Sequence, residues 1–250
     1  MKNSIVKKSY LFLGILFIFL IWIFGQYYVD NSYVVPSVID TFEALIDLLK
    51  QSHTYKVLGY TLLRLIISIL VCFVLGLLLA VLSYKFKGFK WFIKPLITLL
   101  KTLPIAVVII LLLAHLGRNL APFYIIGVVV LPVVYEAILI GLENIDLDVL
   151  DEVKLISKTT PKVLFKVHLP IIFPALLTAV IQSIGLGLKV LVMAEYMSQP
   201  KYSIGNEIVY YKDVIAEMQY VFAWSIILIL FVLLVEVFIS YVSKKKELVL

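Results

Sequence analysis

One cysteine, Cys72, stands in 250 residues, so no disulfide can close within the chain and no cysteine cluster can hold zinc. His53, His115 and His168 are far apart, no H-E-x-x-H spacing occurs, and no G-x-S-x-G elbow is present. These absences remove the usual signatures of intramembrane hydrolases and metal sites. None of the 11 glycines is followed by lysine, which excludes the G-x-x-x-x-G-K-[ST] loop that cradles nucleotide phosphates. The chain is therefore not expected to be an enzyme or to bind a cofactor, and any ATP and magnesium would sit on a partner. Charge is scarce as well, at 15% of residues.

What fills the chain instead is apolar: 63% of residues are hydrophobic and the mean hydropathy is +1.09, well above the roughly half-apolar make-up of soluble domains. Hydrophobic runs at 10–28, 57–84, 95–115, 122–143, 170–195 and 221–242 each approach or exceed the ~20 residues that cross a bilayer as helix. The fold class expected is all-α, a polytopic membrane protein of six transmembrane helices in a single domain over 1–250. A segment at 144–169 joins spans four and five.

Positive charge orients the spans. With both termini inside, 14 Lys and Arg residues fall in inner segments, five in outer segments and three within spans, a strong positive-inside bias. The net charge of +6 is then a topology signal spread over separate loops, and no nucleic acid is needed to explain it. Lys2, Lys7 and Lys8 ahead of an apolar run could open a secretory signal. No small-x-small cleavage site follows, and Tyr27 and Tyr28 suit an interfacial belt, so an uncleaved first span is expected.

The segment from Asp146 to Pro170 is the long polar stretch on the inner side. Asp148 and Asp151, three apart, place carboxylates where the first turn of a helix has free amides. Val149, Val153 and Ile156 trace one apolar face, opposed by Glu152 and Lys154. Thr160 before Pro161 reads as the cap and first position of a second short helix. Such an amphipathic helix can simply connect spans, rest on lipid headgroups, or fill a groove on another protein.

Asp151-Glu152-Val153-Lys154-Leu155-Ile156-Ser157-Lys158-Thr159, with Phe165-Lys166-Val167-His168-Leu169-Pro170 behind it, resembles the cytoplasmic E-A-A-x-x-x-G loop of ABC importer permeases and its V-x-L-P tail. Asp151 falls at the family's acid, Glu152 and Val153 at its two alanines, and Ser157 at its glycine. Val35-Pro36-Ser37 with Phe42-Glu43-Ala44-Leu45 is similar to the outer entrance helix of the class importing nitrate, taurine, alkanesulfonates and thiamine precursors. Val192-Met193-Ala194-Glu195-Tyr196-Met197 and Ser203-Ile204-Gly205 resemble that class's V-x-A-E-M and G-L-G segments. The resemblance implies a type I importer fold in a bacterial cytoplasmic membrane, with two permease copies forming the pathway. It also implies an external substrate-binding protein and partner ATPases that grip the segment from Asp148 to Thr160, with Asp148, Asp151, Glu152, Val153, Ile156, Ser157, Lys158 and Thr159 as the contacting residues.

Ionisable groups within spans are costly and suggest a pathway or a pairing. Lys101 and Glu136 lie at similar inner depths on adjacent spans, so a structural pair is expected, with Glu236 as an alternative partner for Lys101. Arg64 and Lys189 lie about 10 Å from the outer ends of their spans. Both could snorkel to water; alternatively, with Glu195 at the rim, they line a pathway and attract an anion. Val38, Phe42, Leu45, Ile46 and Leu49 trace the apolar face of an outer interfacial helix. Two rivals to an ATP-driven importer stand open: an ion-coupled carrier, which usually shows internal repeats around broken helices, and a membrane scaffold that transports nothing.

Overall fold

A computed structural model describes residues 2–146, 148–149 and 163–247, and among these every regular element is helical. The α-helices longer than one turn are, in chain order, α1 (Lys2–Val29), α2 (Val38–Lys50), α3 (Ser52–Lys85), α4 (Lys87–Thr102), α5 (Ile105–Glu143), α6 (Phe173–Ser198), α7 (Ile204–Val209) and α8 (Met218–Glu247), and a π-helical stretch at Tyr210–Ile215 follows α7. A π-helical turn at Leu164–His168 leads towards α6. Hydrocarbon offers the backbone no partners, so helices that satisfy their own amides are the natural result of such apolar runs. Among the described residues α3, α5 and α6 are long and apolar enough to cross a membrane, and Leu13–Val29 and Met218–Leu234 are shorter apolar helices.

The run expected to form one span at 95–115 is broken. Leu103 and Pro104 are extended, with ψ of 129° and 122°, because proline has no amide to donate and disfavours helix in the residue before it. A hydropathy window averages across that break. The second discontinuity is Gly117, at φ 72° and ψ 178°, a conformation glycine adopts readily and other residues resist. Ile109, before it, and Ala121 and Ile125, after it, share one cluster with Val190 and Ala194. In a straight helix Ile109 and Ile125 would be about 24 Å apart, whereas Val190 and Ala194 are one turn apart. The chain therefore doubles back at Gly117.

The main core lies between α3, α5 and α6. Leu65, Ile69 and Cys72 of α3 meet Ile126, Val130 and Val134 of α5 and Leu188 and Leu191 of α6. Small residues allow the close approach: Ala179, Ser183 and Gly187 of α6 are buried, and a side chain on Gly187 would come within 3.2 Å of Leu65. A second core sits at the outer end, where Ala44, Leu45 and Leu48 of α2 pack with Val57, Ile204 and Trp224. Helix α2 starts at Ser37, whose Oγ accepts from the Asp40 amide at 3.0 Å. Its buried residues are Thr41, Ala44, Leu45 and Leu48, and Phe42, Ile46 and Leu49 stay exposed. The packed face is thus rotated from the one expected: the smaller side chains let α8 come close, and the bulky ones are left for the membrane surface.

Candidate functional site

Thr61 and Arg64 are one turn apart on α3, so they present one face, and α6 brings Glu195 to it from 131 residues away. The Arg64 Nη1 donates to Glu195 Oε1 at 3.0 Å. The Thr61 hydroxyl sits 3.1 and 3.0 Å from the two carboxylate oxygens, and the Gly205 amide also hydrogen-bonds the carboxylate. Glu195 is fully buried. The guanidinium also donates to backbone: Nη1 to the Tyr202 carbonyl at 3.0 Å and Nη2 to the Lys201 carbonyl at 2.8 Å. Thr61 Oγ1 in turn accepts from the Ile204 amide at 3.2 Å. Two charges that would each be costly alone cancel here, and further hydrogen bonds support both partners.

This overturns the expectation that Arg64 snorkels or faces a pathway. Arg64 is 8% exposed, and its partner Glu195 sits on the core side of α6. The pair clamps the outer segment 199–205 onto α3 and α6. That segment turns through the left-handed residues Gln199 and Tyr202 (φ 48° and 53°), and Ser203 then caps α7 by accepting from the Asn206 amide. Around the clamp, His53 Nε2 lies 2.9 Å from Glu207 Oε1 and the Tyr60 and Tyr202 rings stack. Thr61, Gly205, His53 and Glu207 were not singled out for this role from sequence. Gly205 carried a signal through the Ser203-Ile204-Gly205 resemblance, and Thr61 offered one as a hydroxyl one turn before an intramembrane arginine. Lys189 is exposed on α6.

Lys101 Nζ lies 2.7 Å from Glu136 Oε2, with side chains 48% and 38% exposed. Lys90 pairs with Glu143 one helical stretch further inward. Both contacts tie α4 to α5. The Glu236 side chain lies outside the described residues. Lys101→Gln and Glu136→Gln are each expected to cost less than about 1 kcal/mol, read as a small fall in melting temperature in detergent. A larger fall in lipid than in detergent would report hydrocarbon over the pair.

Of the segment expected to grip a partner, Asp148 is described: it is exposed and its amide donates to Asp146 Oδ1 at 3.1 Å. Asp151, Glu152, Val153, Ile156, Ser157, Lys158 and Thr159 lie outside the described residues. Both flanks are anchored in the body. Ile145 is buried in the main core with Val149 packed against it, and Val163 and His168 are buried beyond. His168 meets Tyr84 edge-on, and among the described residues its Nδ1 has no partner. Burial pushes its pKa below the ordinary 6.5, so it folds neutral. Below the unfolded value the unfolded chain binds the proton more readily, and stability falls with pH. Melting temperatures from pH 8 to 5 should show that fall, and His168→Gln should flatten it.

Comparison with known proteins gives consistent results. The family described as binding-protein-dependent transport system inner membrane component matches residues 72–247. The glycine betaine transport system permease protein OpuAB of Bacillus subtilis (strain 168) is 23% identical over 149 residues, 59% of this chain and 52% of its own length. The glycine betaine/proline betaine transport system permease protein ProW of Escherichia coli (strain K12) is 24% identical over 139 residues, 55% of this chain and 39% of its own. The chain thus spans about half the length of the first of these and less of the second. Among solved structures, a bacterial ABC transporter involved in importing the acidic polysaccharide alginate aligns at TM-score 0.68 and 17% identity, covering 96% of this chain and 97% of that one. The MetNI methionine ABC transporter in inward-facing form aligns at 0.62 and 14%, covering 76% and 93%. These likenesses establish the fold, that of type I ABC importer permeases.

Proposed function

Because the chain belongs to the binding-protein-dependent transport system inner membrane components, we propose that it is the permease subunit of an ATP-driven importer. In this reading two copies enclose the path for a small solute, six spans hold both termini in the cytoplasm, an external binding protein delivers the solute, and two ATPase subunits supply the work. The observation that carries the reading is the charged segment between α5 and α6, whose flanks at Ile145 and Val163 are buried in the body and which the family match covers.

Mechanism follows from stiffness. A segment gripped by a closing ATPase can move the spans only if its ends cannot slip, and buried apolar anchors at both ends supply that. Helix α6 then carries the displacement as a rod of 26 residues, about 39 Å long. At its outer end the Arg64–Glu195 clamp hands it to α3 and to the segment 199–205. Inner closure and outer opening become one motion.

A small solute with an anionic group, such as a sulfonate or carboxylate, is the substrate class proposed. The matched relatives are named for betaines, zwitterions that carry a carboxylate beside a fixed ammonium, so the anionic class rests on the residues of this chain and not on theirs. The test is proximity: in a Cys72→Ala background, cysteine at Glu152 or Lys158 should cross-link to the co-purifying ATPase subunit, with a yield that changes on adding nucleotide. An active complex in which neither position ever cross-links rejects the reading. The helix break at Leu103–Pro104 favours one rival, since ion-coupled carriers use broken helices; solute uptake by this chain alone, without ATP, would support it.

A further inference from the structure

The exposed faces of α3 and α6 differ in chemistry. From Leu63 to Leu82 every exposed side chain of α3 is Leu, Ile or Val, the composition hydrocarbon demands. Helix α6 exposes a single stripe over the same depth: Thr178, Gln182, Leu186, Lys189, Met193 and Met197, at steps of four, four, three, four and four that keep to one side of a helix. Its other positions at this depth are buried or half-buried, chiefly against α5 and α3. Two members of the stripe are out of place in lipid. Gln182 is nine residues from Phe173 and sixteen from Ser198, about 14 and 24 Å, too deep for its short side chain to reach water. Neither Gln182 nor Lys189 makes a hydrogen bond or ion pair among the described residues. Arg64 and Lys101 are both paired, so Lys189 is the one described cation within the spans whose charge is unspent.

We propose that this face of α6 is a wall of the solute path and that Lys189 holds the anionic group of the solute, with the Gln182 carboxamide two turns further inward receiving its polar remainder. The inference rests on the permease reading and deepens it. An unspent charge and an unspent amide on one face need an aqueous or polar occupant. The Lys189 charge selects anions, because a one-sign opening in low-dielectric walls concentrates the opposite sign. Leu186, Met193 and Met197 between them offer apolar surface that binds no ion, which keeps the anion's hold local and releasable.

The probes are two small membrane-impermeant thiol reagents, a sulfonate-bearing methanethiosulfonate and its trimethylammonium counterpart. They would be applied to the complete complex in vesicles, with Cys72→Ala and either Leu186→Cys or Met193→Cys, one turn on either side of Lys189. Both cysteines should react, the anionic reagent roughly threefold to tenfold faster than the cationic one at low salt. Lys189→Gln should abolish that preference, Lys189→Glu should reverse it, and Lys189→Arg should keep it. Leu70→Cys, on the aliphatic face of α3, should react with neither reagent. The proposal is overturned if neither α6 cysteine reacts, as a lipid-facing wall requires, or if they cross-link between copies while excluding both reagents, as a closed interface requires. Labelling without a charge preference equally removes the role of Lys189. Co-purification of the ATPase subunit is scored in the same preparations, so a failure of the permease reading and a failure of this face are seen separately.

Discussion

Glu195→Ala is expected to destabilise the protein by about 3–5 kcal/mol, and Arg64→Ala by a similar amount. The carboxylate is fully buried, so removing it leaves a guanidinium in the core with only the Lys201 and Tyr202 carbonyls to stabilise its charge. The cost is the desolvated survivor, not the lost contact. Replacing both partners by apolar residues, as Arg64→Met with Glu195→Leu, should therefore recover much of the loss, since paired buried charges are worth little against well-packed hydrocarbon. Arg64→Lys keeps the charge but loses the fork that reaches two carbonyls and a carboxylate at once, and it should fall between. Melting temperature in detergent ranks the four variants. A local readout separates the clamp from general instability: the Lys201 carbonyl is held by Arg64 at 2.8 Å, while the Lys201 side chain is exposed. Trypsin should cleave after Lys201 faster in Arg64→Ala than in a variant equally destabilised elsewhere. Equal cleavage in the two would show that the clamp does not order this segment.

The features that sequence carried well are those set by composition and local spacing. An apolar fraction of 63% implies helices, and hydropathy located the bodies of α3 and α6. Depth arithmetic works for Lys101 and Glu136 because they sit on helices adjacent in the chain. It could not pair Arg64 with Glu195. The two had been placed at different depths, and their meeting depends on α6 returning to α3 after 131 residues, which no local pattern encodes. Periodicity found α2 but misplaced its packed edge, because Thr41 and Ala44 pack through small size and Phe42 and Ile46 were weighted for hydrophobicity. The break at Pro104 was hidden by the apolar residues on both sides of it. Gly117 is a different case: glycine's turn-forming capacity was there to read, but a hydropathy boundary placed a loop where one residue reverses the chain. The residues proposed to face the ATPase, from Asp151 to Thr159, rest on their resemblance and on the anchors that flank them.

Gly205→Ala should be nearly as damaging as the loss of a charge, for a reason that has nothing to do with electrostatics. A β-carbon on Gly205 would lie 2.1 Å from the Tyr196 nitrogen, 2.3 Å from the Glu195 carbonyl carbon and 2.7 Å from the Glu195 β-carbon. The first two are main-chain atoms of α6, so no rotamer change relieves the clash; helix α7 must move away as a whole. Its departure takes the Ile204 amide from Thr61 and the Gly205 amide from the carboxylate, leaving the buried pair short of partners it needs. Overpacking of this kind costs about 3 kcal/mol or more. Gly59→Ala and Gly88→Ala, with nothing within 4 Å of the new carbon, are the controls, and both should be neutral or slightly stabilising because alanine suits a helix better. Since Gly205→Ala and Glu195→Ala strike the same assembly, their combination should cost clearly less than the sum. Additive losses in melting temperature would mean that α7 and the ion pair are stabilised independently, and that the outer segment is not held by the clamp.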